Sequence, residues 1–300
     1  MSIEKICRPL GITRMGLYKK QKAQIKQITE AEVIIKAVHK IREEQPRIGV
    51  RKLQILLAEE LRRHSIKIGR DGLFDLFREF GLLIKTKRYK HYVTNSHHQF
   101  YKHPNRIKNL SVMAPGRLWV SDITYIEVAQ KYQYLFLITD AYSRKIVGHC
   151  LSSSYSVRGA VKALSMAVKS NKITPGLIHH SDRGVQYCCK EYTSLLQKRK
   201  AAISMTENSD PYENAIAERV NGILKTELLR KKYDSEEQSI EAINKAINIY
   251  NKKRPHLSIG LLTPEQAHKK HGLIKQLWKK KQYPNKKESI LNKPNIVNLF

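Results

Sequence analysis

Three acidic residues in the middle of the chain, Asp122, Asp182 and Glu218, have the context of a metal-binding catalytic site. Asp122 lies inside a predicted strand, where a carboxylate is costly unless it is paired, exposed or bound to a metal. Asp182 directly follows a predicted strand, and Glu218 lies within a predicted helix. If the three carboxylates converge, their mutual repulsion calls for cations, and hard divalent ions such as Mg²⁺ prefer oxygen ligands. Two such ions suit phosphoryl transfer, because they act on the attacking and the leaving oxygen.

Each acidic residue also has an ordinary structural interpretation when it is taken alone. Asp122 fits an exposed edge strand, Asp182 fits a turn, and Glu218 fits a solvated helix surface. Lys225 follows Glu218 by seven residues, or about two helical turns, so both project from nearly the same face. Lys225 is therefore a candidate to bind a DNA phosphate beside the metal ions.

The elements that must position these residues follow an α/β pattern. Three strands come first, and helices and strands then alternate, which predicts a domain with a mixed sheet. Apolar periodicity predicts strands at 117–128, 134–140, 145–151, 177–179 and 201–205, and helices at 156–170, 189–199, 213–230 and 236–250.

The N-terminal part of the chain is predicted to be helical. Three short helices followed by a basic segment are typical of a helix–turn–helix, and a small helical bundle that binds protein is the alternative. Arg70 and Arg78 flank the third helix and are candidate DNA contacts. Gly11 and Thr13 are compatible with an earlier helix–turn–helix, and a frayed basic end explains them equally well. The predicted helices span 30–45, 50–63 and 71–80.

Composition favours a polyanionic partner. The 300 residues contain 56 Lys and Arg against 26 Asp and Glu, a net charge of +30, which is unsuited to an enzyme of small neutral metabolites. Residues 1–110 contain 25 basic and 10 acidic residues, residues 111–230 contain 16 and 10, and residues 231–300 contain 15 and 6. Nucleic acid is the expected partner, with a membrane surface as the weaker alternative.

Cysteine usage and hydropathy indicate an intracellular protein. The four cysteines form no Cys-x-x-Cys pair, which predicts free thiols in a reducing compartment. No apolar run has the length of a signal peptide core or a membrane span, so we expect a soluble protein with no membrane partner. His97 and His98 have no cysteine partners at zinc-site spacing, and we expect them to be solvated.

Several motifs around the acidic residues resemble those of bacterial insertion-sequence transposases with a retroviral-integrase-like core. Asp182 and Glu218 are separated by 35 residues, the spacing characteristic of that superfamily. The resemblance is to the second-reading-frame (OrfB) type and covers most of residues 6–270. It rests on the segments 119–125, 140–144, 180–187, 214–218, 225–227, 250–256 and 263–265.

The resemblance implies an α/β fold, namely an RNase H-like core with a mixed five-stranded sheet and flanking helices, preceded by helical helix–turn–helix modules. It implies that Asp122, Asp182 and Glu218 are the catalytic and metal-binding residues of a DDE strand-transfer enzyme. Two Mg²⁺ ions are expected as cofactors, with Mn²⁺ as a substitute. Arg254 lies in the segment after the core helix and either contacts DNA or caps that segment. The zinc module of the retroviral relatives is absent, so no zinc site is implied.

The resemblance also implies the partners and the location of the protein. Element ends and target DNA are the expected substrates, and a homo-oligomer is expected to assemble on paired ends. An upstream-frame helix–turn–helix protein, or a fusion to it, is a further expected partner. The protein is expected in the bacterial cytoplasm, associated with the nucleoid. The predicted domains are an N-terminal helix–turn–helix (1–28), a helical DNA-binding domain (29–85), a basic linker (86–115), the integrase catalytic core (116–270) and a basic tail (271–300).

Three other functions are compatible with parts of this pattern. A tyrosine recombinase would also rejoin DNA, and the chain contains 15 tyrosines. An RNase H-type nuclease would share the metal chemistry but leaves the N-terminal helices unexplained. A DNA-binding protein with an inactive core would need no catalysis, which an intact acid triad disfavours.

Overall fold

The computed structural model describes residues 7, 9, 11–85, 99–108, 110–171, 175–207 and 214–277. Residues 1–10, most of the first half of the predicted linker and the tail beyond 277 thus lie largely outside the described ranges. His97 and His98 are among the residues outside them. Within the described ranges, no helix has both the length and the apolar composition that crossing a bilayer requires.

Within residues 11–85, the N-terminal region contains four helices, and the one that begins at Arg14 is much longer than predicted. Thr13 caps it by accepting a hydrogen bond from the Gly16 amide (3.0 Å). No glycine or proline interrupts the chain from there to Pro46, and the Lys-, Gln- and Ala-rich sequence favours helix throughout. The predicted boundary at residue 28 therefore falls inside one continuous helix. The helices are α1 (Arg14–Glu44), α2 (Val50–Leu56), α3 (Ala58–Arg63) and α4 (Arg70–Glu79).

A separate apolar core holds these helices together. The predicted helix at 50–63 is divided at Leu57, which is fully buried and lies between α2 and α3. This kink lets α4 pack on α2. Gly81 follows the end of α4 and adopts the left-handed conformation that is common after a helix. The buried core comprises Ile34, Val38, Ile48, Val50, Leu53, Leu57, Ile66, Leu73 and Phe77.

The central region forms a mixed sheet in the order β3-β2-β1-β4-β5. β1 pairs antiparallel with β2 and parallel with β4, so it is the central strand. The five-stranded mixed sheet is as predicted, and a two-residue strand, β6, additionally pairs with the far end of β1. The strands are β1 (Leu118–Val128), β2 (Lys131–Asp140), β3 (Ile146–Ser152), β4 (Ile178–Ser181), β5 (Ala202–Met205) and β6 (Lys232–Tyr233).

Helices cover both faces of the sheet. On one face, α5 and α7 pack against Trp119, Phe136 and Ile138. On the other, α8 and α9 pack against Ile126 and Leu137. These helices are α5 (Val157–Ser170), α6 (Val185–Cys188), α7 (Lys190–Lys198), α8 (Ala215–Ile223), α9 (Glu236–Lys252) and α10 (Pro264–Ala267).

The described parts of the predicted linker and tail pack onto the core. The Arg106 amide donates to Ser204 Oγ on β5 (2.8 Å), which fixes the second half of the linker along the sheet edge. The Gly272 amide donates to the Met113 carbonyl (2.7 Å), and Tyr142 Oη donates to the Gly272 carbonyl (2.9 Å). The core therefore extends slightly beyond both predicted boundaries.

We predict that Gly148→Ala destabilises the core. A Cβ at this position on β3 would overlap the Ala163 carbonyl oxygen and approach Ala167 Cβ at 2.8 Å, so α5 would have to move away from the sheet. Overpacking of this kind costs about 1–3 kcal/mol and should lower the midpoint of thermal unfolding.

Gly222→Ala is the matched control, because a Cβ there meets no atom within 4 Å inside α8. Alanine is the better helix former, so this variant should unfold at the same or a higher temperature. Equal midpoints for Gly148→Ala and wild type would contradict the packing described here.

Candidate active site

Two of the three predicted acidic residues lie side by side at the centre of the sheet. Val120 of β1 pairs with His180 of β4, so continuing both parallel strands by two residues places Asp122 beside Asp182. Strands in this arrangement are about 4.8 Å apart. Asp182 follows the last residue of β4, and its Oδ1 accepts a hydrogen bond from the Gly184 amide (3.0 Å). The side chain therefore lies at the strand end, where a turn begins.

The third acidic residue comes from a helix that packs across a gap in the sheet. Within the described residues, β1 pairs on its β4 side through residues 118–120 and 127–128 only, so its backbone between them has no strand partner among those residues. Asn214 Nδ2 donates to the Ser121 carbonyl (3.0 Å) in this gap. Asn221 Nδ2 donates to Asp122 Oδ2 (2.7 Å). Glu218 lies one helical turn before Asn221, and so on the same side of α8.

The three carboxylates interact electrostatically. The pKa of Asp122 is raised to about 7, first by burial, then by the charge of Asp182 and, to a smaller extent, that of Glu218. The hydrogen bond from Asn221 acts in the opposite direction. The same charges act on the hydroxyl of Tyr155. Its pKa is raised to about 12, first by burial and then by the charges of Asp182 and Asp122. The structure thus brings the predicted acidic residues into one negatively charged cluster.

The donor chemistry of this cluster fits a hard divalent cation. The three carboxylates supply oxygen atoms, and Asn221 Oδ1 is buried with no hydrogen-bond partner among the residues that the structure describes. Within the described ranges, no three His, Cys, Asp or Glu side chains lie close enough together to hold a metal ion as they stand. The side chains of the cluster would therefore have to draw together around a cation.

Sequence reasoning missed Asn214 and Asn221. Both are buried, and both use their amide groups to tie α8 to the open side of β1. A polar residue among the apolar positions Val220 and Ile223 on the buried side of a helix is the signal that could have revealed Asn221. Its partner, however, is 99 residues away along the chain.

Lys225 lies in a π-helical segment, and the sequence pattern predicted an α-helix there. The predicted helix at 213–230 begins at Ala215 in the structure, ends as an α-helix at Ile223 and continues as a π-helix over Leu224–Leu228. In this π-helix the Leu229 amide bonds to the Leu224 carbonyl (2.8 Å), and π-helical turns are frequent at functional sites. Lys225 is half-buried, with its Nζ 3.9 Å from the ring centroid of Tyr125, and burial lowers its pKa.

Arg254 has a buried position, which favours its expected role of capping this segment over the alternative of a DNA contact. It is 1% exposed, and its Nη2 donates to both oxygens of Glu227 in the π-helix (2.8 and 2.7 Å). A guanidinium that is enclosed in this way has no donor facing solvent. His256 beside it is buried as well, so this segment fixes the end of α9 against the π-helix.

Arg70 and Arg78 lie on the exposed face of α4. Each forms a surface ion pair, Arg70 with Asp71 (2.8 Å) and Arg78 with Asp75 (2.6 Å). Exposed pairs contribute little to stability, so these guanidinium groups are available to a ligand at small cost.

Trp119 and His180 are structural. Trp119 is 1% exposed within the core, as expected from its place in the strand. His180 is fully buried, and its Nδ1 bonds to Ser204 Oγ on β5 (2.9 Å). The four cysteines are free thiols, as predicted.

Comparison with known families agrees with this geometry. Two families described as integrase core domain match the chain, one over residues 113–211 and the other over residues 199–264. The matches together span all three acidic residues. Among solved structures, the HTLV-2 integrase catalytic core domain in complex with magnesium matches 52% of this chain and 97% of its own, with 19% identity and a TM-score of 0.40.

Two curated relatives match most of the chain. The 31 kDa protein of insertion element IS600 from Shigella sonnei is 34% identical over 273 residues, which cover 89% of this chain and 98% of that protein. The transposase for insertion sequence element IS904 from Lactococcus lactis is 32% identical over 251 residues, or 81% of this chain and 96% of that protein. The resemblance inferred from the motifs is confirmed, and the chain belongs to the bacterial insertion-sequence transposases with an RNase H-like integrase core domain.

Proposed function

We propose that this transposase cleaves and joins DNA at the ends of its insertion sequence, with Asp122, Asp182 and Glu218 as the catalytic carboxylates. The observation that carries the proposal is the electrostatic coupling of the three, which adds to the effect of burial in raising the pKa of Asp122 at the centre of the sheet. Family membership removes the tyrosine recombinase from consideration. The N-terminal helical unit favours a DNA-end-recognising enzyme over a simple nuclease of the same fold.

Two Mg²⁺ ions, replaceable by Mn²⁺, are the cofactors we propose for this site. When bound, they would activate an attacking oxygen and stabilise the leaving oxygen of a phosphodiester. Asp122, Asp182 and Glu218 would hold them, and Asn221 would keep the Asp122 carboxylate oriented. The raised pKa of Asp122 supports the assignment, because a cation between the carboxylates would relieve the repulsion that raises it.

The proposed reaction has two steps. In the first step water attacks the phosphodiester at an element end and releases a 3′-hydroxyl. In the second, that hydroxyl attacks a phosphodiester of the target, and one P–O bond replaces another.

The helical unit is proposed to position the element end, with α4 in a DNA groove through Arg70 and Arg78. Lys225 is proposed to bind a phosphate beside the carboxylates.

The proposed assembly contains more than one copy of the chain. Two element ends must be joined to one target, so we propose a homo-oligomer on paired ends. The product of an upstream reading frame, as a separate protein or a fusion, is proposed to assist in end recognition. The reaction would take place on nucleoid DNA in the cytoplasm.

Substitution of the carboxylates tests the chemistry directly. We predict that Asp122→Asn, Asp182→Asn and Glu218→Gln each abolish the joining of a pre-cut element end to target DNA in Mg²⁺. Each change keeps the shape of the side chain but removes a charge, so DNA binding measured by fluorescence anisotropy should stay close to wild type. Joining that persists in one variant would remove that residue from the catalytic set. A wild-type protein that binds the element end but joins nothing in Mg²⁺ would indicate a DNA-binding protein with an inactive core.

Asn221→Ala tests whether the Asp122 carboxylate must be held in place. Loss of a hydrogen bond to a metal-binding side chain typically lowers activity 10- to 100-fold, and we predict a fall of this size in the joining rate. The matched control is Asn244→Ala, since Asn244 bonds to His149 on β3 and lies away from the carboxylates. Equal joining rates for the two variants would argue against an orienting role.

Arg78→Met tests the proposed role of α4. Loss of a direct base contact costs about 1–3 kcal/mol of discrimination, so the preference for element ends over unrelated duplex should fall about tenfold or more. Competition binding with the two duplexes measures this ratio. An unchanged ratio with uniformly weaker binding would identify Arg78 as a phosphate contact instead.

A further inference from the structure

A cluster of cations lies where the N-terminal helical unit meets the core. Lys52 of α2 reaches Glu227 of the π-helix, with its Nζ 3.7 Å from Oε2. Arg254 occupies the same carboxylate with three hydrogen bonds of 2.7–3.0 Å. A second ion pair nearby in the chain, between Lys253 and Glu44 of α1 (2.6 Å), also joins the two units. The helical unit is thus held against the core beside the segment that carries Lys225.

The charges in this cluster do not balance. Lys52 and Arg254 share the single carboxylate of Glu227, and the positive charge of Arg219 also acts on Lys52. The pKa of Lys52 is lowered to about 8, first by burial and then by the charge of Arg254, with Arg219 acting in the same direction. The pKa of His256 is lowered well below its usual value by burial and then by nearby cations including Arg254 and Lys52, so His256 is neutral and adds no further positive charge. Such an excess of positive charge favours an anionic ligand.

Arg219 is the accessible member of the cluster. It is exposed on α8, and it forms no hydrogen bond or ion pair with any residue in the described ranges. It directly follows Glu218, so the cluster begins one residue from the proposed acid triad. Lys52 is only 14% exposed but stands at the other side of the same junction. A strand leading from the carboxylates towards the helical unit would pass Arg219.

We propose that Arg219 and Lys52 form a binding site for one backbone phosphate of the element-end DNA, at the junction between the helical unit and the core. The site rests on the proposed function, since it requires DNA as the substrate. It is separate from the carboxylates: it binds a phosphate that does not react and holds the strand between the recognition helix and the acid triad. Glu227 and Arg254 serve to fix Lys52 in place.

Salt dependence of binding tests this site without any need for catalysis. The full chain carrying Asp122→Asn would be titrated onto an element-end duplex over a range of KCl concentrations. Each phosphate contact contributes about 0.9 to the slope of log K against log salt, so Arg219→Met should reduce the slope by about one. Arg219→Lys should restore most of it. Lys52→Met is the second variant, with its thermal midpoint measured to separate loss of contact from loss of docking.

Arg199→Met is the matched control. It removes the same charge from an exposed arginine at the end of α7, on the opposite face of the sheet. Single methylphosphonates placed along the duplex would then locate the contact, because a neutral linkage should weaken binding at one position in the parent and not in Arg219→Met.

An Arg219→Met slope equal to that of Arg199→Met, or equal sensitivity to the methylphosphonates in both, would overturn the proposal. The proposed catalysis is judged separately by the joining assays. A chain that binds as predicted but joins nothing would contradict only the catalytic assignment.

Discussion

The catalytic region depends on keeping an ionisable carboxylate in the central strand of a buried sheet. Asp122 is half-enclosed between β2 and α8, where the unpaired charge of a carboxylate is expensive. One hydrogen bond from Asn221 and one from the Ile123 amide (2.9 Å) compensate part of that cost. The cost that remains raises the pKa of Asp122, and the neighbouring carboxylates raise it further. Carboxylates that raise one another's pKa in this way create an energetic need that a bound cation would meet.

That need explains the unusual edge of β1. A continuous neighbouring strand would satisfy the backbone around Asp122 but would leave no room for a helix to bring Glu218 close. The short pairings with β4 and β6 leave the gap, and the amide of Asn214 satisfies the Ser121 carbonyl there. Side-chain amides thus replace part of a ladder, as buried backbone groups require. The helix that closes the gap is the one that carries the third carboxylate.

The sequence predicted the local features and missed those that depend on distant partners. Alternation placed Asp122 in a strand, the motif around it related it to the other two acidic residues, and the 35-residue spacing related Asp182 to Glu218. The π-helix was not predictable, because its apolar pattern continues that of α8. The burial of Arg254 was hidden too, since a basic residue in a basic segment suggests a surface, and its partner Glu227 is 27 residues away. The single long helix α1 could have been predicted from the absence of glycine and proline after Gly16.

The packing separates the excess basic residues into two groups. Many of these cations are paired at surfaces, where they contribute little, but a few are held where the two units meet. Arg254 and Lys52 share one carboxylate, and their burial makes their charge act strongly at short range because screening by water is reduced there. Under the proposed function, a DNA strand that runs from α4 to the carboxylates would cross this junction. The same contact that docks the helical unit therefore also lines the path along which the strand would reach the site.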